Sequence, residues 1–460
     1  MNKKQKTKNI FALCSLLFAL LPLFWNLLRP GFYSSDDGEW MVIRLTAFHE
    51  SFRKGQIPVR WLSRLNHEYG YPVTNFLYPL PFYLAEPFYA LTRDPVLAVK
   101  IVMGLAIASM AVGSYVLFKK WGTAEGIIGA LTYSYSPYVV FNLYQRGSLG
   151  ELVAMGIVPW VFWAISSKKL LLSSFFTAAL ITAHNVVAAL FLPLVVVCVL
   201  WKFKTRAWFM VHGLWFMLAF GLSAFFWFPA LAEYRFVRTS QIAVSDFSNE
   251  YLSLQNAFER TGPISVLTNF GLPLFFLTEN SKWFWNLFKP LQIIQFPWRL
   301  LNLFSFISSG IISFLIFKLK KYRLFQSLII IFIAVITFIS VFPFLSPKSF
   351  TNYPPSYYQT NDDSTTVRAE YTPIWVNDWP LVRPETPVKH YYPGLKLFVN
   401  GSEKFVNPGE YNGEIRSSVF GEGGKIKFIW SETPLRAATD LISIFSFLII
   451  LFLFKYRWII

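Results

Sequence analysis

Two adjacent carboxylates, Asp36 and Asp37, are the residues of this chain best placed to do chemistry. They follow the first apolar segment by a few positions and open a long polar loop that is rich in aromatic residues. Acidic groups are costly in hydrocarbon, so at a membrane edge they usually have a partner or a function. Such a carboxylate can act as a base toward a substrate held at the lipid surface. The pair is also where a divalent cation, Mg²⁺ or Mn²⁺, would bind if the protein uses one.

Four arginines are candidates for binding a phosphate group, because the guanidinium group holds phosphate in a bidentate fork. They are Arg60, Arg64, Arg146 and Arg299. Arg60 and Arg64 can instead contact lipid headgroups. Arg146 can instead form a local ion pair with Glu151, and Arg299 can anchor the start of a helix at the membrane interface. The sequence leaves both interpretations open for each residue.

His184 and Asn185 are two further candidates, because they interrupt an apolar region. A polar residue inside a membrane segment is by default a hypothesis about function. A single histidine on an apolar face is, however, more often a hydrogen-bonded core residue than a ligand. Both interpretations stay open.

The composition is that of an integral membrane protein. Only 15% of the 460 residues are charged and the mean hydropathy is +0.43, whereas soluble domains average roughly 25% charged residues. The net charge of +17 comes from short basic clusters between apolar segments, as the positive-inside rule describes, so we expect membrane lipids rather than nucleic acid as partners. Cys14 and Cys198 both lie in apolar segments, which argues against a disulfide or a metal site.

Spanning helices need about 20 mostly apolar residues, and several segments qualify. They are 10–28, 97–118, 124–141, 149–167, 170–201 (two short helices meeting near His184), 207–232, 300–318, 325–345 and 437–454. No small-residue cleavage site follows the first segment, so we expect an uncleaved anchor with a cytoplasmic N-terminus. The predicted location is the plasma membrane, crossed several times.

The aromatic, proline-containing stretch 76–92 creates a conflict over topology. If it is a full span, strict alternation puts Lys119 and Lys120 outside, whereas the positive-inside rule puts them inside. We follow the charge rule and expect 76–92 to be re-entrant or packed at the outer face. Arg146 and His184 then lie on the outer side with Asp37.

Three regions are predicted to lie outside the spans. The first, 31–75, is the first extracytoplasmic loop, and its amphipathic segment from Trp40 to Phe52 predicts a helix lying on the bilayer surface. Asp37 would then have a structural alternative as the N-cap of that helix. The second region, 233–299, is polar with interspersed aromatic runs.

The third region, 346–436, alternates apolar and polar residues between turn signals such as Asn400-Gly401 and Pro408-Gly409, which predicts β-structure. We expect a mainly α fold: a multi-span membrane domain over 1–345, an extracytoplasmic β-rich domain over 346–436, and a last transmembrane helix with a basic tail over 437–460.

The first loop contains a recognisable pattern of residues: Asp37-Gly38, Arg44, Gly55, Pro58, Arg60-Trp61, Gly70-Tyr71-Pro72 and Tyr78-Pro79. With this pattern the loop resembles that of the polytopic C-type (GT-C) glycosyltransferases. More narrowly, it is similar to bacterial membrane proteins that carry the historical label "6-pyruvoyl-tetrahydropterin synthase-related", which implies no pterin chemistry. Further matches are QRGSLGEL with Arg146 and Glu151, TAHN with His184-Asn185, and FPWR with Arg299.

A final match joins YYPGLKLFVNG (391–401) to the C-terminal β-module of related lipoteichoic-acid-glycosylating membrane proteins. One departure is Met41, where the family often has a histidine, so no role of that histidine transfers to this chain.

This resemblance implies inverting sugar transfer at the outer membrane face. The donor would be a polyprenyl-phosphate sugar and the acceptor a lipid-linked or cell-surface glycan. Asp37 would be the general base and Asp36 its helper, with Arg44, Glu151, His184 and Asn185 as further site residues.

Two other functions remain open from the sequence: a flippase or transporter of lipid-linked sugars, and a non-catalytic scaffold for assembly of the cell envelope. No P-loop, zinc, Rossmann or serine-hydrolase motif stands out.

Overall fold

The computed structural model describes residues 3–201, 206–242, 247–377, 381–407, 411–416 and 425–455, and within them the chain is mainly helical. The helices before residue 202 are α1 Lys3–Ala19, α2 Leu21–Leu28, α3 Gly38–Arg53, α4 Val73–Phe76, α5 Leu80–Thr92, α6 Pro95–Phe118, α7 Thr123–Ser134, α8 Pro137–Phe141, α9 Leu149–Ser166, α10 Leu170–Ala183 and α11 Asn185–Trp201.

The later helices are α12 Arg206–Leu222, α13 Ala224–Ala232, α14 Leu254–Thr261, α15 Pro263–Thr268, α16 Leu272–Leu277, α17 Lys282–Leu287, α18 Leu301–Lys318, α19 Arg323–Val341, α20 Pro355–Thr360 and α21 Pro434–Lys455. The strands are β1 Phe32–Tyr33, β2 Phe350–Thr351, β3 Val388–His390, β4 Leu395–Val399, β5 Ser402–Lys404, β6 Glu414–Arg416 and β7 Ile426–Trp430.

Most of the predicted spans correspond to long apolar helices. Within the described ranges, five helices are long and apolar enough to cross a membrane: α6, α9, α19, α21 and the stretch Pro297–Lys321 that contains α18. Two bent pairs, α1 with α2 and α12 with α13, raise the number to seven if each pair is one span. This supports a multi-pass membrane protein.

Two predicted segments are broken helices. The predicted break near His184 is observed, because α10 ends at Ala183 and α11 begins at Asn185. The segment 124–141 differs from the prediction, since α7 ends at Ser134 and α8 begins at Pro137. Proline lacks the N–H that a continuous helix needs and disfavours helical geometry in the residue before it.

The stretch 76–92 folds into the end of α4 and the 13-residue helix α5. A helix of that length is about 20 Å long, which is less than the roughly 30 Å of hydrocarbon that a span must cross. The length supports the prediction that 76–92 is not an ordinary full span.

The expectation that the segment Trp40–Phe52 lies on the bilayer surface is wrong. It forms α3 as predicted, but Val42, Ile43, Leu45 and Phe48 are all fully buried. Helix α3 packs against α5, α6 and α20, so later parts of the chain cover both of its faces. Its periodicity identified the helix and could not show what would cover its polar side.

The C-terminal region contains the predicted β-structure. Strands β5, β4 and β7 form an antiparallel sheet, and β3 pairs with β6. Asn400 and Gly401 have positive φ angles of 53° and 83°, as the predicted hairpin turn requires. The predicted turn at Pro408-Gly409, most of the basic cluster 202–206 and the residues after Lys455 lie outside the described residues.

A buried ion pair joins the C-terminal region to the membrane helices. Arg436 of α21 donates a hydrogen bond from Nη2 to Glu233 Oε2 at 2.7 Å. Asn75 Nδ2 donates to the same oxygen at 2.8 Å and the Tyr392 hydroxyl at 3.0 Å. The first loop, the β-region and the last helix therefore meet at one carboxylate.

We expect Arg436→Ala to lower the free energy of unfolding by about 3–5 kcal/mol, because it leaves the Glu233 carboxylate buried without its cation. The matched control is Arg383→Ala, which breaks an ion pair with Asp362 through an arginine that is 51% exposed and should cost about 0–1 kcal/mol. The unfolding midpoints in detergent, followed by tryptophan fluorescence, measure the difference. Equal midpoint shifts for the two variants would contradict the prediction.

Candidate active site

A cavity of about 430 Å³ lies where segments far apart in sequence meet. Its walls come from the start of α3, the turn after α8, the junction of α10 and α11, the residues before α18, and the loop 365–371. The sequence-predicted residues that line it are Asp36, Asp37, Arg44, Arg146, His184, Asn185 and Arg299.

Asp37 stands at the N-cap position of α3, but its side chain makes no capping hydrogen bond. The carboxylate instead accepts a hydrogen bond from Arg146 Nη2 at 3.3 Å. The backbone N–H of Asp37 also donates to the carbonyl oxygen of Arg146 at 2.6 Å. The Asp37 carboxylate is therefore held at the cavity by Arg146 rather than by the helix terminus.

Two glycines allow this contact between backbones. Gly147 has a φ of +67°, and a Cβ built there would lie 2.7 Å from Gly38 Cα and 2.8 Å from Gly38 N. Only glycine combines that conformation with so close an approach. The close approach of the two backbones thus explains why glycine follows Asp37 and Arg146 in the sequence.

Glu151 lies behind the cavity wall, is 0% exposed and organises the cations. Its Oε2 accepts a hydrogen bond from Arg146 Nη1 at 2.7 Å and lies 3.8 Å from Arg299 Nε. Its Oε1 accepts from the Tyr138 hydroxyl at 2.5 Å and from Asn302 Nδ2 at 2.7 Å. One buried carboxylate thus fixes the positions of two guanidinium groups beside the cavity.

Arg260, which sequence reasoning missed, is a fourth arginine of the cavity, beside Arg44, Arg146 and Arg299. Its guanidinium carbon lies 4.2 Å from the centre of the Phe141 ring and 5.6 Å from that of Trp298. Burial and the charge of Arg146 lower the pKa of Arg260, and at an arginine such a decrease leaves the charge in place. Nothing near Arg260 in the sequence signals a site, since it stands among ordinary helix-forming residues.

His184 and Asn185 hold the wall formed by the α10–α11 junction. The His184 ring stacks on Tyr78 with 4.7 Å between centroids, and its Nδ1 accepts a hydrogen bond from the Val187 N–H at 3.3 Å. Asn185 Nδ2 donates to the Phe76 carbonyl at 3.2 Å. Both side chains line the cavity and also fasten the segment 76–78 to α11.

Arg44 connects α3 to the loop 365–371 of the C-terminal region. Its Nη2 donates to the Thr365 carbonyl at 2.7 Å and its Nε donates to Thr365 Oγ1 at 3.3 Å. Glu370 and Tyr371 of the same loop also line the cavity. Sequence reasoning placed no site residue in this loop, and the local sequence carries no signal for one.

The structure does not bring Arg60 or Arg64 to the cavity. Arg60 is buried beside α21, where Nη2 lies 2.7 Å from Asp440 Oδ1 and Nε lies 3.2 Å from Glu432. Arg64 Nη1 lies 2.9 Å from Glu50 Oε1. Both guanidinium groups are held by carboxylates at other places in the fold.

In the described part of the chain, no group of three or more His, Cys, Asp or Glu side chains could hold a metal ion. Asp36 and Asp37 are two adjacent carboxylates with arginines nearby. A cation bound to them stays a prediction from the sequence.

The fold is similar to that of solved glycosyltransferase structures. Two cryo-EM structures of the arabinofuranosyltransferase AftD from mycobacteria, one of them a mutant, each match 76% of this chain with a TM-score of 0.50, at 16% and 14% sequence identity. The predicted fold class, a GT-C-like polytopic helix bundle with a small C-terminal β-region, is thereby confirmed. At this identity the likeness shows the fold alone.

Sequence comparison adds one relative of unknown function. An uncharacterized protein of Lactococcus lactis subsp. cremoris (strain MG1363) is 23% identical over 256 residues, which are 51% of this chain and 42% of the relative. The matched part is only 28% and 29% of the two AftD chains. No protein-family model matches the chain, so the narrower family named from the first loop stays a prediction.

We expect Gly147→Ala to destabilise the protein more than Gly271→Ala does. The φ angles of Gly147 and Gly271 are similar, +67° and +73°. A Cβ at Gly271 would enter open space, whereas a Cβ at Gly147 would meet the Gly38 backbone. The control therefore carries only the conformational cost of about 1–2 kcal/mol. The unfolding midpoint in detergent measures both variants, and equal losses would refute the steric role of Gly147.

Asp36→Asn should become more stabilising as the pH rises. Burial, and then the charge of Asp37, raise the pKa of Asp36, so the folded state binds the proton more tightly than the unfolded state. Its contribution to stability is present at low pH and is lost as the pH rises through the folded-state pKa. The difference in unfolding midpoint, variant minus wild type, should increase between about pH 4 and pH 7; a constant or decreasing difference would count against the raised pKa.

Proposed function

We propose that this protein is a membrane glycosyltransferase. It moves a sugar from a polyprenyl-phosphate donor to a lipid-linked or cell-surface glycan acceptor, at the outer face of the plasma membrane and with inversion at the anomeric carbon. The observation that carries the proposal is one cavity that contains a carboxylate pair and a group of arginines. The fold shared with AftD supports it.

In this proposal Asp37 is the general base. It accepts the proton of the acceptor hydroxyl as that oxygen forms a bond to the anomeric carbon. The bond from the anomeric carbon to the phosphate oxygen breaks, and its electron pair leaves with the lipid phosphate. A single displacement of this kind needs one base, unlike the two-step reaction of a retaining enzyme, which needs a carboxylate nucleophile as well. The hydrogen bond from Arg146 orients the Asp37 carboxylate.

The leaving phosphate is assigned to Arg146, Arg260 and Arg299. Cations fixed beside the leaving group stabilise the charge that develops on it, and they do so most strongly in a cavity with little water. Glu151 neutralises part of the charge of Arg146 and Arg299 and fixes the positions of these two side chains. Arg60 and Arg64 are not part of this assignment, because they pair with carboxylates elsewhere.

Asp36 is assigned a supporting role. The residue directly precedes Asp37 and lines the same cavity. It is also the second candidate for the base. If Mg²⁺ or Mn²⁺ binds, Asp36 and Asp37 would hold it, and the cation would supply further positive charge for the phosphate.

Asp37→Asn should reduce sugar transfer by about 10²–10⁴-fold, the usual contribution of a general base, while Asp36→Asn should have a smaller effect. The assay is transfer from a panel of polyprenyl-phosphate sugars to envelope lipids by the purified protein in vesicles. Glu403→Gln is the matched control, because Glu403 pairs with Lys396 in an exposed hairpin away from the cavity lining. Full activity of a folded Asp37→Asn protein would eliminate Asp37 as the base.

Two further experiments test the flippase and scaffold alternatives. In the same vesicles, movement of the lipid-linked sugar across the bilayer without transfer would favour a flippase. Restoration of the surface glycan in a deletion strain by Asp37→Asn as well as by wild type would favour a scaffold.

A further inference from the structure

The segment 254–293, predicted to lie outside the spans, carries many exposed apolar side chains. Phe270 is 91% exposed, Leu267 is 76% exposed and Leu287 is 68% exposed. The others are Leu254, Phe258, Leu272, Trp283, Phe288, Leu291 and Ile293. Water-facing protein surfaces rarely carry an apolar patch of this extent unless something covers it.

Helix α14 has an outer and an inner side. Leu254 and Phe258, one helical turn apart, are exposed, whereas Ala257 and Thr261 are buried against the bundle. Arg260 of the same helix extends into the candidate active site. One helix, about 10–12 Å thick with its side chains, thus separates the apolar surface from the cavity.

Helix α17 and the turn after it repeat this arrangement. Lys282, Asn286 and Lys289 line a second cavity of about 740 Å³, which shares Tyr251 and Gln295 with the first. Trp283 and Leu287 of the same element are exposed. The element thus combines polar side chains that line a cavity with exposed apolar side chains.

Two observations identify lipid as the material outside. The segment runs directly into Pro297–Lys321, a stretch apolar enough to span the membrane, so its exposed side chains continue a lipid-facing surface. Tryptophan and lysine together on one short element, here Trp283 with Lys282 and Lys289, are typical of residues at a membrane interface.

We propose that residues 254–293 are immersed in one leaflet of the bilayer, and that α14 and α17 form a wall between lipid on one side and both cavities on the other. The partner of this surface is the acyl-chain region of the lipids. Any lipid-anchored molecule would enter the cavities laterally from the bilayer, passing α14 or α17. The proposal does not depend on which reaction the protein performs.

Single cysteines test the immersion directly. Leu267→Cys and Leu287→Cys are made in a background in which Cys14 and Cys198 are replaced by serine, and each is labelled with an environment-sensitive fluorophore. The matched controls are Val382→Cys and Phe405→Cys, at exposed apolar residues of the C-terminal region. The proteins are reconstituted in vesicles of phosphatidylcholine and phosphatidylglycerol, with or without lipids spin-labelled on the acyl chain.

Spin-labelled lipid should remove most of the emission at positions 267 and 287 and little at 382 and 405, whereas aqueous iodide should do the reverse. Quenching of positions 267 and 287 by iodide alone would place them in water and overturn the proposal. Protection from both quenchers would mean that another protein surface covers the segment, which would also overturn it. These side chains point away from the protein, so the substitutions should leave the fold intact; Ile293→Cys provides a further position with the same expectation.

Discussion

The geometry of the candidate site depends on one buried carboxylate, Glu151. A carboxylate taken into an apolar helix bundle costs several kcal/mol unless cations and hydrogen-bond donors surround it. Arg146 and Arg299 supply the cations, and the hydroxyl of Tyr138 and the amide of Asn302 supply donors. These partners come from α8, the turn after it, and the start of α18. The need to satisfy one charge therefore draws three parts of the chain to a single point beside the cavity.

Arg146 also connects Glu151 to the carboxylate pair. Arg146 uses one terminal nitrogen for Glu151 and the other for Asp37. The Gly38–Gly147 contact lets the two backbones approach closely enough for this bridge. One guanidinium group thus joins the buried carboxylate of Glu151 to the cavity-facing carboxylate of Asp37. That explains why the local ion pair and the site role, which stood as alternatives for Arg146 in the sequence, are compatible in the structure.

A second buried carboxylate, Glu233, brings distant parts of the chain together in the C-terminal region, as Glu151 does beside the cavity. Its contacts to Arg436, Tyr392 and Asn75 fix the β-region and the last helix against the first loop. The loop 365–371 is held over the cavity by Arg44. The small β-region therefore contributes to the cavity wall instead of standing apart, and α14 contributes Arg260 to the same wall.

The sequence by itself determined the features that have a local signature. Apolar length identified most of the spans, a polar interruption located the break at His184, and alternation identified the C-terminal strands. The first loop supplied Asp36, Asp37 and Arg44 as candidates, and later motifs supplied Arg146 and Arg299; all five line the cavity. Only the tertiary structure decided which charges meet. Arg60 and Arg260 are both single arginines in polar segments, yet the first pairs with Asp440 beside the last helix and the second enters the cavity. The burial of α3 was equally invisible, because the segments that cover it are distant in sequence. The free energy of a charge or of an apolar face depends on what folding brings near it, and no local pattern records that.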